Sequence, residues 1–277
     1  MGVPYDKALL VYLDILGFRD LIRDAGNDEL KVAKVLKILS TIKSQFSEGG
    51  RYVNEPGEKP RSVFKAVNFS DLTLRITKME PNADLIDYLN WEILNLAGKQ
   101  CDLACDGILL RGALTVADLY SNDDYVFGPA LVKAYQLESE SAVFPRIVLD
   151  NQVMRMAAEH ATGRLWFDYI RRGEDGFFFV YYLKGACSDR GWAPDDNTPM
   201  VPDTLAMHKE VVERKLQEFK TKGEKIQQKG LWLALYHNTV VREMREREAA
   251  IDAERILKAR AFDDLAPLAI DDELLKP

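Results

Sequence analysis

Val11-Tyr12-Leu13-Asp14-Ile15-Leu16-Gly17-Phe18 decides how this chain folds. With Leu9 and Leu10 ahead of it, the stretch reads as a buried strand over residues 8–16, interrupted by one acid. A carboxylate in an apolar strand is costly to bury unless it is paired or bound to a metal. Asp14 is therefore either a helix cap or partly exposed strand end, or one half of a site. A second acid bears on the choice. Residues 61–77 read as two alternating strands with Asn68 to Asp71 at the turn, which places Asp71 at a hairpin tip.

The flanking segments supply the rest of a fold. Residues 19–46 carry apolar side chains at helical spacing, among them Leu21, Val35, Leu39 and Ile42. They predict one or two amphipathic helices with a break near Gly26-Asn27-Asp28. Residues 47–60 read as an exposed loop. Residues 83–105 predict a helix with Ile86, Leu89, Ile93 and Leu96 on one face, ended by Gly107. Residues 108–117 predict a fourth strand. The order strand, helix, strand, strand, helix, strand is the ferredoxin-like βαββαβ arrangement, a two-layer α+β fold. In it the first and second strands are parallel, with the third between them. The end of the first strand and the tip of the hairpin then lie at one end of the sheet, so Asp14 and Asp71 are expected to be neighbours. Converging carboxylates repel unless they are protonated or bridged by a cation. Oxygen donors suit Mg²⁺ or Mn²⁺. A structural ion pair with Arg19, Lys65 or Arg75 is the alternative.

In the second half, Ser121 to Asp124 read as a polar turn. Residues 125–140 enter a helix with Pro129 at its start, where a missing N–H costs nothing. Residues 144–150 predict a strand, and 164–184 two aromatic strands of sheet core. Residues 186–203 read as a loop. Residues 204–260 are helical and charged, and the apolar Leu231 to Tyr236 must bury against the domain or a partner. The expected organisation is a domain over 1–185, a loop, a helical extension over 204–262 and an acidic tail over 263–277. No internal repeat is visible.

Composition narrows the function. The 277 residues carry a formal net charge of −7, which argues against a binder of nucleic-acid backbones. No apolar run approaches the ~18 residues of a membrane span. The N-terminus lacks a basic segment followed by an apolar one, and the myristoylation pattern fails at Asp6. The expectation is a cytoplasmic protein with no membrane partner. Cys101, Cys105 and Cys187 suit a reduced compartment, with Cys101 and Cys105 sharing a helix face in a core. His160, His208 and His237 form no metal-ligand motif.

Leu13 to Phe18 resemble the Asp-Ile-x-Gly-Phe signature of class III adenylate and guanylate cyclases. Lys65 to Asp71 match their Lys-x-x-x-x-Gly-Asp spacing, with Ser70 in place of Gly. Residues 110–117 align with the cyclase Arg-x-Gly strand. Residues 126–139 align with the Trp-Gly-x-x-Val-Asn-x-Ala-x-Arg-x-x-Ser helix. Over residues 8–185 the chain most resembles the bacterial anti-phage (Pycsar) pyrimidine nucleotide cyclases, through Asp14 to Phe18 and Phe127 to Leu131.

The resemblance implies a metal-dependent lyase. It places two divalent ions, Mn²⁺ or Mg²⁺, on Asp14, Asp71 and the backbone carbonyl of Ile15. It places the triphosphate on amides of Leu16, Gly17 and Phe18 at a helix N-terminus. The base would stack near Phe64 and be read by Lys65 or Tyr125. An adenylate cyclase has Asp where Tyr125 stands, so a pyrimidine substrate is expected, UTP ahead of CTP. The product would be cyclic UMP, with a separate effector protein downstream. The family's transition-state Asn and Arg fall on Val132 and Gln136, which cannot replace them. Arg111 is the remaining candidate, an arginine among Leu, Ala and Val that needs an anionic partner. Either it acts on the substrate or it forms a salt bridge to Asp71 or Asp118. The resemblance also implies a homodimer, with metal carboxylates from one chain and base contacts from the other. The helices over 204–260 offer extra dimer surface. A cyclase-like module that binds a nucleotide without turnover is the reading of a different class.

Overall fold

A computed structural model describes residues 5–47, 52–53, 61–62, 64–80, 85–160, 169–184 and 200–251. Strand β1 (Asp6–Ile15) is central because both of its faces are apolar. Its even-numbered residues Ala8 and Leu10 pack with Leu74, Ile76, Leu119, Ala130 and Ala134. Its odd-numbered residues Leu9, Val11, Leu13 and Ile15 are buried as well. This is why the run reads as continuous rather than alternating.

After β1 come α1 (Phe18–Ala25) and α2 (Glu29–Ser47), broken at Gly26 as the sequence predicts. Two short strands, β2 (Tyr52–Val53) and β3 (Arg61–Ser62), pair with each other. Strands β4 (Phe64–Phe69) and β5 (Leu72–Lys78) form the expected hairpin. Helix α3 (Leu85–Cys105) and strand β6 (Leu110–Ser121) follow. The sheet order β4-β5-β1-β6, with β5 antiparallel to both β4 and β1, is the ferredoxin-like order. Three strands extend it beyond β6: β8 (Ile147–Leu149), then β10 (Phe178–Val180) and β9 (Ile170–Arg172). The architecture is α+β.

Three expectations need correction. The helix opens at Pro129 as expected, but no strand was foreseen in the Val126 and Phe127 that lead into it. They form β7 (Val126–Phe127), paired with Tyr120 and Ser121 of β6. Gly128, at φ 138°, turns the chain, and Pro129 opens α4 (Pro129–Ser141) at its first residue. The second correction is α5 (Asn151–His160), a helix for which the sequence reading made no provision. The Asp150 side chain accepts the Gln152 amide at 2.9 Å and caps it. Third, the second aromatic strand is the three-residue β10, and β9 takes in Arg171 and Arg172, which were expected in the connection. Leu165 to Asp168 lie outside the described residues, as do Cys187, residues 186–199 of the expected loop and the tail; residues 200–203, expected in the loop, are helical.

The helix-covered face opposite α4 holds a fully buried ion pair. Arg75 on β5 donates to Glu92 of α3 through Nε at 2.6 Å and through a terminal nitrogen at 3.0 Å. It also donates to the Phe46 carbonyl of α2 and lies 4.1 Å from the Phe64 ring centroid.

The chain divides into two compact units, one within 1–99 and 108–181, the other within 100–107 and from 182 onward. The second contains α6 (Met200–Phe219) and α7 (Glu224–Ile251). Within it the apolar stretch on α7 is accounted for: Leu233, Ala234 and Tyr236 are buried, and Trp232 stacks on Tyr236 at 5.3 Å. His208 and His237 are also buried, with Nδ1 atoms 2.9 Å apart, and the Tyr182 hydroxyl lies 3.0 Å from His208 Nε2. Cys101 is buried and forms no disulfide. Among the described residues no helix is long and apolar enough to cross a membrane.

Candidate functional site

The site forms where β1 ends and the β4–β5 hairpin turns. Phe69 pairs with Leu72, leaving Ser70 and Asp71 as a two-residue loop. Ser70 has φ 56°, as the first position of a type II′ turn requires. The turn places the Asp71 carboxyl near enough to Asp14 to add to the effect of burial in raising the Asp14 carboxyl above the ordinary range. The two acids meet as the topology requires.

The register then supplies a third group. Asp14 on β1 lies directly opposite Arg111 on β6. Arg111 donates through Nε to Asp14 Oδ2 at 2.8 Å, and its terminal nitrogen lies 2.8 Å from the same oxygen. Its Nε is also 2.8 Å from Oε1 of Glu138, a buried residue of α4. The partner of the acids is thus Arg111. Of the alternatives weighed from sequence, Arg75 is engaged on Glu92 and Lys65 as described below. Among the described residues the ion pairs of Arg111 are to Asp14 and Glu138, not to Asp71 or Asp118.

Electrostatics follow from this packing. Burial raises the Asp14 carboxyl above the ordinary carboxylate range; Arg111 opposes the shift and Asp71 adds to it. Burial, with Glu138 and then Asp14 nearby, pushes the Tyr12 phenol up to about 12. Tyr12 therefore stays protonated, and it meets Tyr135 edge to face at 6.2 Å.

Two backbone features complete this end. The Leu16 amide donates to the Leu109 carbonyl at 2.8 Å. It is committed to the β6 side and cannot cradle a phosphate, contrary to expectation. Across a trans peptide the preceding C=O points the opposite way. The Ile15 carbonyl therefore faces the β5 side, where Asp71 lies. Gly17, at φ 83°, precedes α1 with open space beside its Cα. The α1 hydrogen bonds begin with Asp20 and Leu21 donating to the Gly17 carbonyl.

The structure does not bring every expected residue here. Adjacent strand residues point to opposite faces. Lys65 shares the α4 side with its partner Ile76, whereas Phe64 lies under Arg75 on the other side. Phe64 and Lys65 cannot contact one base together, so Phe64 leaves the candidate site. Lys65 reaches the β6–β7 turn, where it donates to the Asn122 carbonyl and lies 3.6 Å from Asp123. Tyr125 closes that turn, its amide donating to Asn122 Oδ1 at 2.7 Å. Lys65 and Tyr125 are thus both tied to Asn122, but the acid beside Lys65 is Asp123. From the register Lys65–Ile76–Leu10, the Cα of Lys65 lies roughly 16 Å from that of Asp14, four residues along and two strands across.

The donor set for a cation is two carboxylates and one carbonyl, all oxygen. Mg²⁺ and Mn²⁺ are held in this way, by one or two carboxylates with water and substrate phosphate completing the shell. Among the described residues no group of three or more His, Cys, Asp or Glu side chains is arranged to hold a metal. The site fits a substrate-assisted cation. Sequence reasoning missed Glu138 and Tyr12. Tyr12 was legible, two residues before Asp14 on the same strand face.

No protein-family model matches the chain, and no curated protein matches it. Among the solved structures similar to it are nucleotide cyclases and a cyclase-like protein. They include the monomeric guanylyl cyclase domain of the RhoGC fusion protein from the aquatic fungus Blastocladiella emersonii. That match has 13% identity, 64% of this chain and 95% of that one covered, and a TM-score of 0.42. The adenylyl cyclase CyaB from P. aeruginosa matches at 14% identity, with 65% and 96% covered and a TM-score of 0.38. A class III adenylyl cyclase-like ATP-binding protein from Pseudomonas aeruginosa matches at 13% identity, with 65% and 40% covered and a TM-score of 0.41.

Proposed function

We propose that the chain is a nucleotide cyclase that closes a nucleoside triphosphate to a 3′,5′-cyclic nucleotide and pyrophosphate. The observation that carries this reading is the meeting of Asp14 and Asp71 at one end of a ferredoxin-like sheet, with Arg111 on Asp14. Asp14, Asp71 and the Ile15 carbonyl hold Mn²⁺ or Mg²⁺, two ions with substrate bound. Such ions acidify the ribose 3′-hydroxyl and neutralise charge on the α-phosphate and leaving pyrophosphate. The 3′-oxygen bonds to the α-phosphorus as the bond to the β-phosphate oxygen breaks. Gly17 and Phe18 orient the β- and γ-phosphates through amides at the start of α1. Arg111 faces the charge that develops at the α-phosphate.

The substrate in this reading is UTP, with CTP second, on sequence resemblance to pyrimidine cyclases. Cyclic UMP would serve a separate effector protein in anti-phage defence in the cytoplasm. One contact favours a purine instead: Lys65 has an acid beside it, Asp123, although Tyr125 stands at the expected position.

Lys65 and Asp14 stand roughly 16 Å apart along the sheet of one chain, which favours a base site and a metal site drawn from different chains. A head-to-tail homodimer would supply the carboxylates from one chain and the Lys65 turn from the other. Asp71→Asn and Lys65→Gln, each inactive alone, test this when co-expressed. A shared site restores about a quarter of wild-type activity, because half of the dimers are mixed and each has one intact site. No restoration contradicts the shared site, and full activity of Asp71→Asn contradicts the cyclase reading itself.

A further inference from the structure

Arg111 has a single Nε–H, and two carboxylates stand in contact with it. Nε is 2.8 Å from Asp14 Oδ2 and 2.8 Å from Glu138 Oε1. The hydrogen is directed at Asp14, where a terminal nitrogen also reaches. Glu138 meets the guanidinium as an ion-pair partner to which that hydrogen is not aimed. The Glu138 side chain is only 4% exposed, and α4 fixes it, since Ala134 and Ala130, one and two turns earlier, pack on the sheet. A buried carboxylate is costly without a compensating charge. The guanidinium meets that need whichever acid it favours.

We propose that Glu138 is a positioning residue that retains Arg111 when Asp14 engages a divalent cation. The inference rests on the reading of Asp14 and Asp71 as cation ligands. In the pose seen, Arg111 neutralises Asp14 and competes for it. In the second pose Nε–H turns to Glu138, which needs no long movement because both oxygens are equally near. Asp14 is then released to the cation, and the terminal nitrogens of Arg111 are turned toward an anionic ligand. Charge is balanced in that state, since one guanidinium and one divalent cation match Asp14, Asp71 and Glu138.

Direct Mn²⁺ binding to the full chain without nucleotide, by calorimetry or by the electron-spin signal of free Mn²⁺, tests this. Arg111→Gln removes the competitor and binds Mn²⁺ more tightly than wild type. Glu138→Gln strands Arg111 on Asp14 and weakens binding roughly three- to tenfold. In the double variant the weakening disappears, because no arginine remains to be positioned. Glu138→Asp recovers part of the affinity. Unchanged affinity in Glu138→Gln, or effects that simply add in the double variant, overturn the proposal. If Glu138→Gln does not fold, Arg111→Gln carries the test, and unchanged or weaker Mn²⁺ binding there overturns it. Failure of the wild type to bind Mn²⁺, or equal binding by Asp14→Asn, overturns the cation reading and this inference with it. Binding that needs Asp14 but ignores Arg111 and Glu138 overturns this inference alone.

Discussion

Gly112 sits opposite Leu13, one residue from the Asp14–Arg111 pair, and has no room for a side chain. A Cβ there would stand 2.3 Å from the Tyr12 carbonyl oxygen and 2.9 Å from Leu13 Cδ2. Backbone oxygen cannot yield as a flexible side-chain tip can. Restoring contact distance requires β1 and β6 to separate locally by about 1 Å, stretching the neighbouring ladder hydrogen bonds. With two to four such bonds weakened at about 1 kcal/mol each, Gly112→Ala costs roughly 2–4 kcal/mol. Urea unfolding measures this through the midpoint at constant slope. The same displacement parts Asp14 from Arg111 and weakens activity beyond the loss of folded protein. A stability change below about 0.5 kcal/mol, the scale of an ordinary surface substitution, refutes the close approach of these strands.

Other consequences are independent of this one. Ser70 occupies a left-handed turn position at φ 56°, so Ser70→Gly stabilises the fold by up to about 1 kcal/mol, read in the same unfolding assay. Glu92→Ala leaves Arg75 buried without its bidentate partner and lowers stability by about 3–5 kcal/mol, whereas replacing both by apolar residues costs far less. Burial, with His237 adding to it, holds His208 well below the usual 6.5, so it is neutral in the fold while the unfolded chain takes up a proton first. Its contribution is therefore full above that value and is lost on acidification, by about 1 kcal/mol between about pH 7.5 and about pH 5.5. His208→Gln flattens that slope, and a slope unchanged by the substitution contradicts the assignment.

Most of the βαββαβ frame was legible because its signals are local. The apolar run of β1, the period-two alternation of the hairpin and the spacing on α3 each name their element. The strand order then places Asp14 beside Asp71 before any coordinate is known. What escaped depends on register and on distant packing. Glu138 sits in a helix where a glutamate is unremarked, and only the approach of α4 to β6 makes it a partner of Arg111. Arg111 itself was singled out for its apolar neighbours, but its partner follows from β1–β6 pairing, which no single segment encodes. Phe64 was misplaced for a reason the sequence did contain, since alternation sends it and Lys65 to opposite faces. Pro129 was read rightly as the start of α4, but the pairing of Val126 and Phe127 ahead of it depends on register with β6, which the segment itself does not encode. Asp123 was overlooked because the expected acid position was two residues later.

The most direct measurement is product analysis by mass after the purified full chain is incubated with Mn²⁺ and each of ATP, GTP, UTP and CTP. The expected result is one dominant 3′,5′-cyclic nucleotide with pyrophosphate, cyclic UMP foremost, abolished in both Asp14→Asn and Asp71→Asn. A cyclic purine with the same dependence on both acids keeps the chemistry and reassigns the base to a site read by Lys65 and Asp123. No cyclic product from any of the four, in protein shown to be folded and dimeric, contradicts the account and leaves a chain that holds a nucleotide without turning it over.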